Sequence, residues 1–235
     1  MSIKVSLHDA WTGVADCRSC SLRDGVLFAG LTESDFEKIH DPISQFTLKA
    51  GDRLYRDRDN GNRLFTIRSG LIKLQRYLPD GTQRIVRLAK TSDVIGLESL
   101  LDQPYEHEAI AMQTTEICCL PVDTVNELSK ENPTLHKELL LRWQRALSEA
   151  DTWLTELSTG SARNRVARLI LQLTDDTSDQ PECRLFARED LGSMLGITTE
   201  TASRTIAEFK RKGWLNELSS NHYRVDITAL QEEFA

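Results

Sequence analysis

This 235-residue chain lacks several features that mark membrane, secreted or uniformly basic proteins. No apolar run approaches the roughly 20 residues that a membrane-spanning helix needs. The N-terminus has no signal-peptide core, so we expect a cytoplasmic protein with no membrane partner. Basic residues are in the minority, with 29 Lys and Arg against 36 Asp and Glu and a net charge of −7. A uniformly basic coat is therefore excluded, and any DNA contact must come from a local basic face.

Cysteine is also scarce, and the usual enzyme motifs are absent. Five cysteines, an odd number in a chain of this size, do not indicate a disulfide framework. The sequence has no Gly-x-Ser-x-Gly elbow, no phosphate-binding Gly-Lys-Ser/Thr loop and no His-Glu-x-x-His zinc pair. The five histidines are scattered without metal-ligand spacing. We therefore expect that the protein is not an enzyme and has no catalytic residues.

The first region with a clear pattern runs from about Phe46 to Val122 and is rich in short β-type segments. Several of these segments alternate apolar and polar residues, as half-buried strands do. The clearest expected strands are residues 63–68, 71–77, 83–88 and 116–120. Turn-forming residues separate them at 50–52, 59–61, 69–70 and 79–81. Many short strands at regular spacing predict a β-roll.

A long helix is expected next. Asn132 is a good N-cap, Pro133 suits the first helical position, and Gly160 ends the run. Six apolar residues recur at alternating spacings of three and four, which is typical of a helix that packs against a partner helix. This dimer seam consists of Leu140, Trp143, Leu147, Ala150, Leu154 and Leu157. A single long core helix is the alternative. We place the domains at 1–130, 131–160 and 161–235.

Residues 188–207 have the anatomy of a helix-turn-helix motif. Two leucines four residues apart bury the first helix. Gly192 is small where the two helices cross, and Gly196 suits a tight turn that needs positive φ. Thr198 follows as a cap for the second helix. An ordinary helical hairpin with surface charges is the alternative interpretation.

The second helix of this motif has one apolar face and one polar face. Ala202 and Ile206 point inward, four residues apart. Arg pairs with guanine, Glu accepts from the amino group of cytosine, and Ser serves either base. Lys210 and Lys212 offer phosphate contacts near the helix end, and a turn at 219–221 predicts a β-wing. The expected base-reading residues are Thr199, Glu200, Ser203 and Arg204.

With these elements the chain resembles the cAMP receptor protein and fumarate–nitrate reduction regulator (CRP/FNR) family. The pattern Glu200-x-x-Ser203-Arg204 is similar to the recognition helix of the FNR branch. The resemblance implies an α+β fold: a cyclic-nucleotide-binding-like β-roll, a long dimerisation helix and a winged helix-turn-helix. It also implies a homodimeric transcription regulator that binds double-stranded DNA at a TTGAT…ATCAA palindrome. RNA polymerase is the expected protein partner.

The sensory domain departs from the cAMP-binding branch of this family. There, a Gly-Glu pair and an Arg-Ser pair hold the phosphate. Here Leu97 follows Gly96, and His107-Glu108 stands at the Arg-Ser position. A carboxylate at that place repels an anionic ligand, and the fixed arginine charge is missing. We therefore expect that cAMP is not the effector.

The cysteines match the oxygen-sensing branch in part. The resemblance implies that Cys17, Cys20 and Cys118 correspond to three ligands of an iron–sulfur cluster, while Val26 falls at the remaining position. Cys119 replaces the missing ligand only if its side chain lies on the same face of the strand as that of Cys118. A mixed-ligand cluster, another thiolate-bound metal, a thiol–disulfide switch and plain packing remain open. A different class of function is a cytosolic metal-binding or thiol-redox protein that uses Cys17 and Cys20.

Overall fold

The computed structural model describes residues 11–14, 43–175 and 180–232. These residues fall into two compact units, one within 1–76 and 86–148 and the other within 77–85 and 149–235. The sequence placed domain boundaries at 130 and 160, whereas the division between the two units falls between Ser148 and Glu149, inside the long helix. Within the part of the chain that the structure describes, no helix is both long and apolar enough to cross a bilayer.

The first unit is built on two sheets, of which only residues 77–85, at one hairpin, are grouped with the other unit. Its strands are β1 (Trp11–Val14), β2 (Ser44–Leu48), β3 (Arg53–Tyr55), β4 (Arg63–Ser69), β5 (Leu71–Tyr77), β6 (Gln83–Lys90), β7 (Val94–Ile95), β8 (Glu108–Ala111) and β9 (Thr115–Pro121). One sheet has the order β1-β2-β9-β4-β7 and the other the order β3-β8-β5-β6. A short 3₁₀ helix, Leu97–Leu101, lies between β7 and β8. The four predicted strands are thus confirmed as β4, β5, β6 and β9.

Successive apolar side chains on a strand point to opposite faces, so this unit has one apolar cluster on each side of the five-stranded sheet. On β4, Phe65 belongs to the interior cluster between the sheets, whereas its neighbour Leu64 belongs to a cluster on the outer face. Helix α1 (Val122–Glu131) and helix α2 (Pro133–Thr152) contribute Val125, Leu135 and Leu139 to that outer cluster. One face of the five-stranded sheet therefore lines the roll interior, and the helices cover the other.

The start of α2 is as predicted, but its end is different. The Asn132 side chain accepts hydrogen bonds from the backbone N–H groups of Thr134 (3.0 Å) and Leu135 (3.1 Å), which confirms the cap. The α-helix ends at Thr152, and Trp153–Leu157 continues as a π-helical turn. The Thr155 hydroxyl donates to the Asp151 carbonyl at 2.8 Å, the kind of side-chain bond that disturbs a helical ladder.

The second unit is a winged helix-turn-helix. Four further strands form one sheet, in which the fourth strand lies between the second and the third. The helices pack on one another through buried residues such as Ile170, Leu195, Ile206 and Phe209. The elements are α3 (Ala162–Leu173), β10 (Thr174–Asp175), β11 (Glu182–Arg184), α4 (Arg188–Leu195), α5 (Thr199–Arg211), β12 (Leu215–Ser219), β13 (His222–Val225) and α6 (Ile227–Glu232).

Candidate functional site

The turn between α4 and α5 depends on two glycines. A Cβ atom at Gly192 would lie 2.7 Å from the carbonyl oxygen of Ile197, so no larger residue fits without movement of the backbone. The Ile197 N–H donates to the Gly192 carbonyl at 3.1 Å. Gly196 ends α4 in the left-handed region, with φ 62° and ψ 43°. Both roles predicted for these glycines are confirmed, and together they fix the angle at which α5 leaves the turn.

We predict that Gly192→Ala destabilises the second unit, although alanine is normally the better helix former by about 1 kcal/mol. The methyl group would displace the Ile197 carbonyl, and overpacking of this kind costs about 1–3 kcal/mol. Urea denaturation of the full chain measures the change. Ser193→Ala, the next residue on the same helix, is the control and should leave the unfolding midpoint close to that of the unchanged protein. A Gly192→Ala variant at least as stable as the unchanged protein would contradict the close approach.

One face of α5 is buried and its orientation is therefore fixed. Ala202, Ile206 and Phe209 are at most 2% exposed. The Thr198 hydroxyl accepts a hydrogen bond from the Thr201 N–H at 3.2 Å, which confirms the predicted cap. The opposite face carries the four predicted base-reading residues, all of them exposed: Thr199, Glu200, Ser203 and Arg204.

The charged members of this face are next to each other on the helix surface. Glu200 and Arg204 are four residues apart, the spacing of neighbours on one helix face. Hydrogen bonds from its own backbone N–H and from the Thr198 hydroxyl lower the pKa of Glu200, and the charge of Arg204 adds to this effect. The Glu200 side chain is thus an ionised acceptor at neutral pH. The Arg204 guanidinium donates a hydrogen bond of 3.4 Å to the hydroxyl of Thr201, which lies three residues earlier on the same helix.

The two lysines predicted as phosphate contacts have partners within the unit. Lys210 donates to Glu217 on β12, and this hydrogen bond raises the pKa of the lysine. The Lys212 ammonium lies 3.4 Å from Glu208 and 4.3 Å from the centre of the Trp214 ring. Both lysines remain exposed, so their positions are compatible with phosphate binding. Sequence reasoning missed Glu217, because nothing local signals a pair between the helix end and the wing.

The predicted wing is confirmed as the β12–β13 hairpin. Its turn contains Asn221 in the left-handed region, with φ 56°. The side chain of Tyr223 on β13 is buried, and its hydroxyl accepts a hydrogen bond from Arg188 at 3.0 Å. Arg224 lies on the same strand and is exposed. The first turn of α4 is thereby tied to the wing by Arg188, a residue that the sequence did not single out.

Most of the predicted dimer seam is an exposed apolar row on α2 and the turn that follows. Leu147 and Leu154 are 65% and 66% exposed, Leu140 is 56% exposed and Trp143 39%. Ala150 is exposed as well. Leu157 differs, because it is fully buried in the π turn, which packs against α3. The row available to a partner therefore ends at Leu154.

Cys118 and Cys119, neighbours on β9, belong to opposite faces of the sheet. Cys119 is 2% exposed in the roll interior, where burial raises the pKa of its thiol, and Arg63 donates to its sulfur at 4.0 Å. Cys118 is half-buried against the outer cluster. Cys17 and Cys20 lie outside the described residues, and within those residues no three His, Cys, Asp or Glu side chains are grouped for a metal. Because the two side chains lie on opposite faces of the sheet, Cys118 and Cys119 cannot hold the same metal ion.

The two residues that stand where cAMP-binding relatives hold the phosphate supply no cation at neutral pH. His107 is half-buried, and its burial lowers the pKa of the imidazole. Glu108 is buried and engaged with Gln75 and Arg53. Residues 107 and 108 thus present a weakly basic imidazole and a carboxylate that is already paired.

Comparisons with known proteins agree with both halves of the fold. The family described as "Cyclic nucleotide-binding domain" matches residues 45–132, and the family described as "Crp-like helix-turn-helix domain" matches residues 164–233. The transcriptional activator protein anr of Pseudomonas aeruginosa is 27% identical over 208 residues, covering 86% of this chain and 85% of that protein. The transcriptional activator protein FnrA of Stutzerimonas stutzeri is 28% identical over 207 residues, with coverage of 86% and 85%.

Solved structures show the same fold. FixK2 from Bradyrhizobium japonicum superposes with a TM-score of 0.72 at 20% identity, covering 81% of this chain and 96% of that one. A CRP/FNR-family transcriptional regulator from Thermus thermophilus gives a TM-score of 0.65 at 23% identity, with coverage of 80% and 96%. The β-roll, the helix-turn-helix with its exposed polar face, and these relatives together place the chain in the CRP/FNR family of DNA-binding transcriptional regulators.

Proposed function

We propose that this protein is a homodimeric regulator that reads a TTGAT…ATCAA-like palindrome with Glu200, Ser203 and Arg204. The observation that carries the proposal is the division of α5 into a buried face and an exposed polar face. Because packing fixes the buried face, these three side chains project together from the surface of the unit. Their spacing of three and four residues matches one helix inserted in one major groove.

Each reading residue has chemistry suited to a base edge. Arg204 donates two parallel hydrogen bonds to guanine, and the ionised Glu200 accepts from the amino group of cytosine. The G·C pair in each TTGAT half-site offers both partners. Lys210 and Lys212 contact phosphates and are partly neutralised by Glu217 and Glu208. We therefore expect moderate affinity with a clear salt dependence.

A second copy of the chain is the partner that we propose for the exposed row on α2. Leu140, Trp143, Leu147, Ala150 and Leu154 follow one another at spacings of three, four, three and four, the rhythm that two packed helices require. The α-helix has 20 residues and so spans about 30 Å. A dimer of this kind presents two α5 helices related by symmetry, which is what a palindrome requires.

Two relatives are named transcriptional activators, and this supports a further part of the proposal. An activator must recruit or contact the transcription machinery once it is bound to its site. We propose that RNA polymerase is the partner of the DNA-bound dimer. Promoter-dependent transcription with purified polymerase, in the presence and absence of the protein, tests this part separately from DNA binding.

Fluorescence anisotropy with three labelled duplexes tests the DNA site. The first carries the TTGAT…ATCAA palindrome, the second has both half-sites scrambled, and the third has about 5 bp inserted between intact half-sites. We expect tight binding to the first duplex only, because the insertion turns one half-site to the opposite side of the DNA. Equal affinity for all three duplexes would contradict the proposal.

We propose that the effector is not a cyclic nucleotide. The two positions that correspond to the Arg-Ser pair of cAMP binders supply a carboxylate already paired with Arg53 and a weakly basic imidazole, instead of the fixed cation that a phosphate needs. Saturating cAMP should leave the affinity for the palindrome unchanged. An increase in affinity with cAMP would show that the nucleotide is the signal.

We propose instead a redox, gas or metal signal read through Cys17, Cys20 and Cys118. The three thiolates would hold an iron–sulfur cluster or another thiolate-bound metal, which would supply sensitivity to oxidants. Val26, at the position of the remaining ligand in oxygen-sensing relatives, has no ligating atom. Cys119 takes no part in this proposal, since its side chain lies in the roll interior, on the opposite face of the sheet from Cys118.

We predict that anaerobically purified protein shows thiolate charge-transfer absorption and contains metal. Cys118→Ser should weaken the colour and the metal content, whereas Cys119→Ser, the adjacent residue on the same strand, should preserve both. Visible spectra with iron, zinc and sulfide analysis measure these outcomes. Protein that is colourless and metal-free, and whose DNA affinity is indifferent to peroxide, would contradict the cysteine proposal while leaving the DNA site intact.

A further inference from the structure

The hairpin between β5 and β6 lies against the turn of the helix-turn-helix. These two strands are adjacent in the four-stranded sheet, yet residues 77–85 are grouped with the second unit. The N–H groups of Leu78 and Gly81 donate to the carbonyl oxygens of Thr82 and Leu78, each at 2.9 Å. The Asp80 side chain accepts a further hydrogen bond of 2.9 Å from the Thr82 N–H. The hairpin end is therefore held in shape by its own hydrogen bonds.

Arg84, which follows this turn on β6, is the hairpin residue that reaches the helix-turn-helix. A Cβ atom at Gly196 would lie 3.1 Å from the Cζ atom of Arg84 and closer still to one nitrogen of its guanidinium. The guanidinium thus lies over the backbone of Gly196, at the carboxyl end of α4. Arg165 on α3 donates to the Leu195 carbonyl at 2.6 Å. Two arginines therefore lie at this helix end, where the helix dipole favours cations.

The hairpin does not cover the polar face of α5. A cleft of about 810 Å³ lies between them, and its lining includes Thr82 and Arg84 from the hairpin and Thr199 and Glu200 from α5. Both α5 residues remain exposed with the hairpin in place. The hairpin therefore contacts the turn from which α5 starts and leaves its first residues accessible.

We infer that Arg84 is a positioning residue for DNA reading, which holds the turn at Gly196 against the β5–β6 hairpin so that α5 projects in one orientation. This inference rests on the proposed function, in which two α5 helices must enter successive major grooves together. Arg84 itself contacts no base. A single half-site sets no condition on the second α5, so the contribution of Arg84 is confined to palindromic DNA.

Two duplexes separate positioning from direct contact. One carries the TTGAT…ATCAA palindrome, and the other has one half-site intact and the second scrambled. By fluorescence anisotropy we expect Arg84→Ala to bind the palindrome at least about 5-fold more weakly than the unchanged protein, with no change on the single half-site. Lys90→Ala is the matched control, because it removes the same charge from an exposed position at the far end of β6. It should bind both duplexes as the unchanged protein does.

Gly196→Asn tests the same contact from the other side. Asparagine tolerates the left-handed backbone of residue 196, with φ 62°, but its Cβ atom would displace the Arg84 guanidinium. We expect a loss on the palindrome similar to that of Arg84→Ala. The double variant Arg84→Ala/Gly196→Asn should lose no more than either single variant, because the contact is already broken.

Three results would overturn the inference. Equal losses of Arg84→Ala on both duplexes would show that the residue contacts phosphate or supports the fold of the helix-turn-helix. Unchanged affinity for the palindrome would show that the contact has no role in reading, and increased affinity would show that it restrains α5. If the unchanged protein did not prefer the palindrome to a fully scrambled duplex, the proposed function itself would be contradicted.

Discussion

Leu147→Asp should convert the dimer to a monomer. Leu147 is 65% exposed in the single chain, so the new carboxylate is solvated in the monomer and the fold is preserved. In the proposed dimer the same carboxylate is buried between two helices, without a cation beside it. Leaving a charge unpaired in an interface costs about 3–5 kcal/mol, which weakens association at least about 100-fold. Sedimentation equilibrium distinguishes the 26.6 kDa chain from a species of twice that mass.

Ser148→Asp is the matched control for this result. It adds the same charge to an exposed position one residue further along α2, outside the apolar row. We expect Ser148→Asp to remain dimeric and Leu147→Asp to lose affinity for the palindrome together with its dimer. Leu147→Asp protein that dimerises as tightly as the control would show that the row on α2 is not the interface.

Arg204→Ala should weaken binding to the palindrome far more than binding to random DNA. One bidentate arginine–guanine pair discriminates by about 1–3 kcal/mol, and a dimer makes two of them. The expected loss on the palindrome is therefore at least about 30-fold, with little change on a random duplex. Arg204 is exposed and its hydrogen bond to Thr201 is long at 3.4 Å, so we expect no loss of stability.

Lys212→Ala provides the contrasting result. A phosphate contact carries no sequence information, so its removal should weaken binding to both duplexes alike and reduce the salt dependence by about one ion per subunit. Because Lys212 also packs over Trp214, the melting temperature of the Lys212→Ala variant is measured together with the binding curves. If Arg204→Ala behaves as Lys212→Ala does, Arg204 is a phosphate contact rather than a base reader.

The sequence predicted those parts of the fold that depend on contacts between residues close together in the chain. Asn132 caps α2 because its side chain reaches two adjacent N–H groups, and Gly196 ends α4 because a tight turn needs positive φ. The reading face of α5 followed from the buried spacing of Ala202 and Ile206. Each of these features depends on residues fewer than five positions apart.

Features that depend on distant parts of the chain were not predictable in the same way. Leu157 continues the three–four rhythm of the α2 row, but packing against α3 buries it within its own chain. The contacts of Glu108 with Arg53 and Gln75 require the register of three strands. The Lys210–Glu217 pair requires the wing to fold back beside the end of α5. Such contacts are set by tertiary structure, which periodicity and capping rules do not contain.

The most direct test of base reading by α5 is a double-mutant cycle between Arg204 and the guanine of the half-site. Unchanged protein and Arg204→Ala are titrated against the TTGAT…ATCAA duplex and against a duplex in which A·T replaces the G·C pair of both half-sites. We predict that the base change weakens the unchanged protein at least about 30-fold and has little effect on Arg204→Ala, since the contact is already gone. Equal losses for both proteins would contradict the assignment of Arg204 to that base pair.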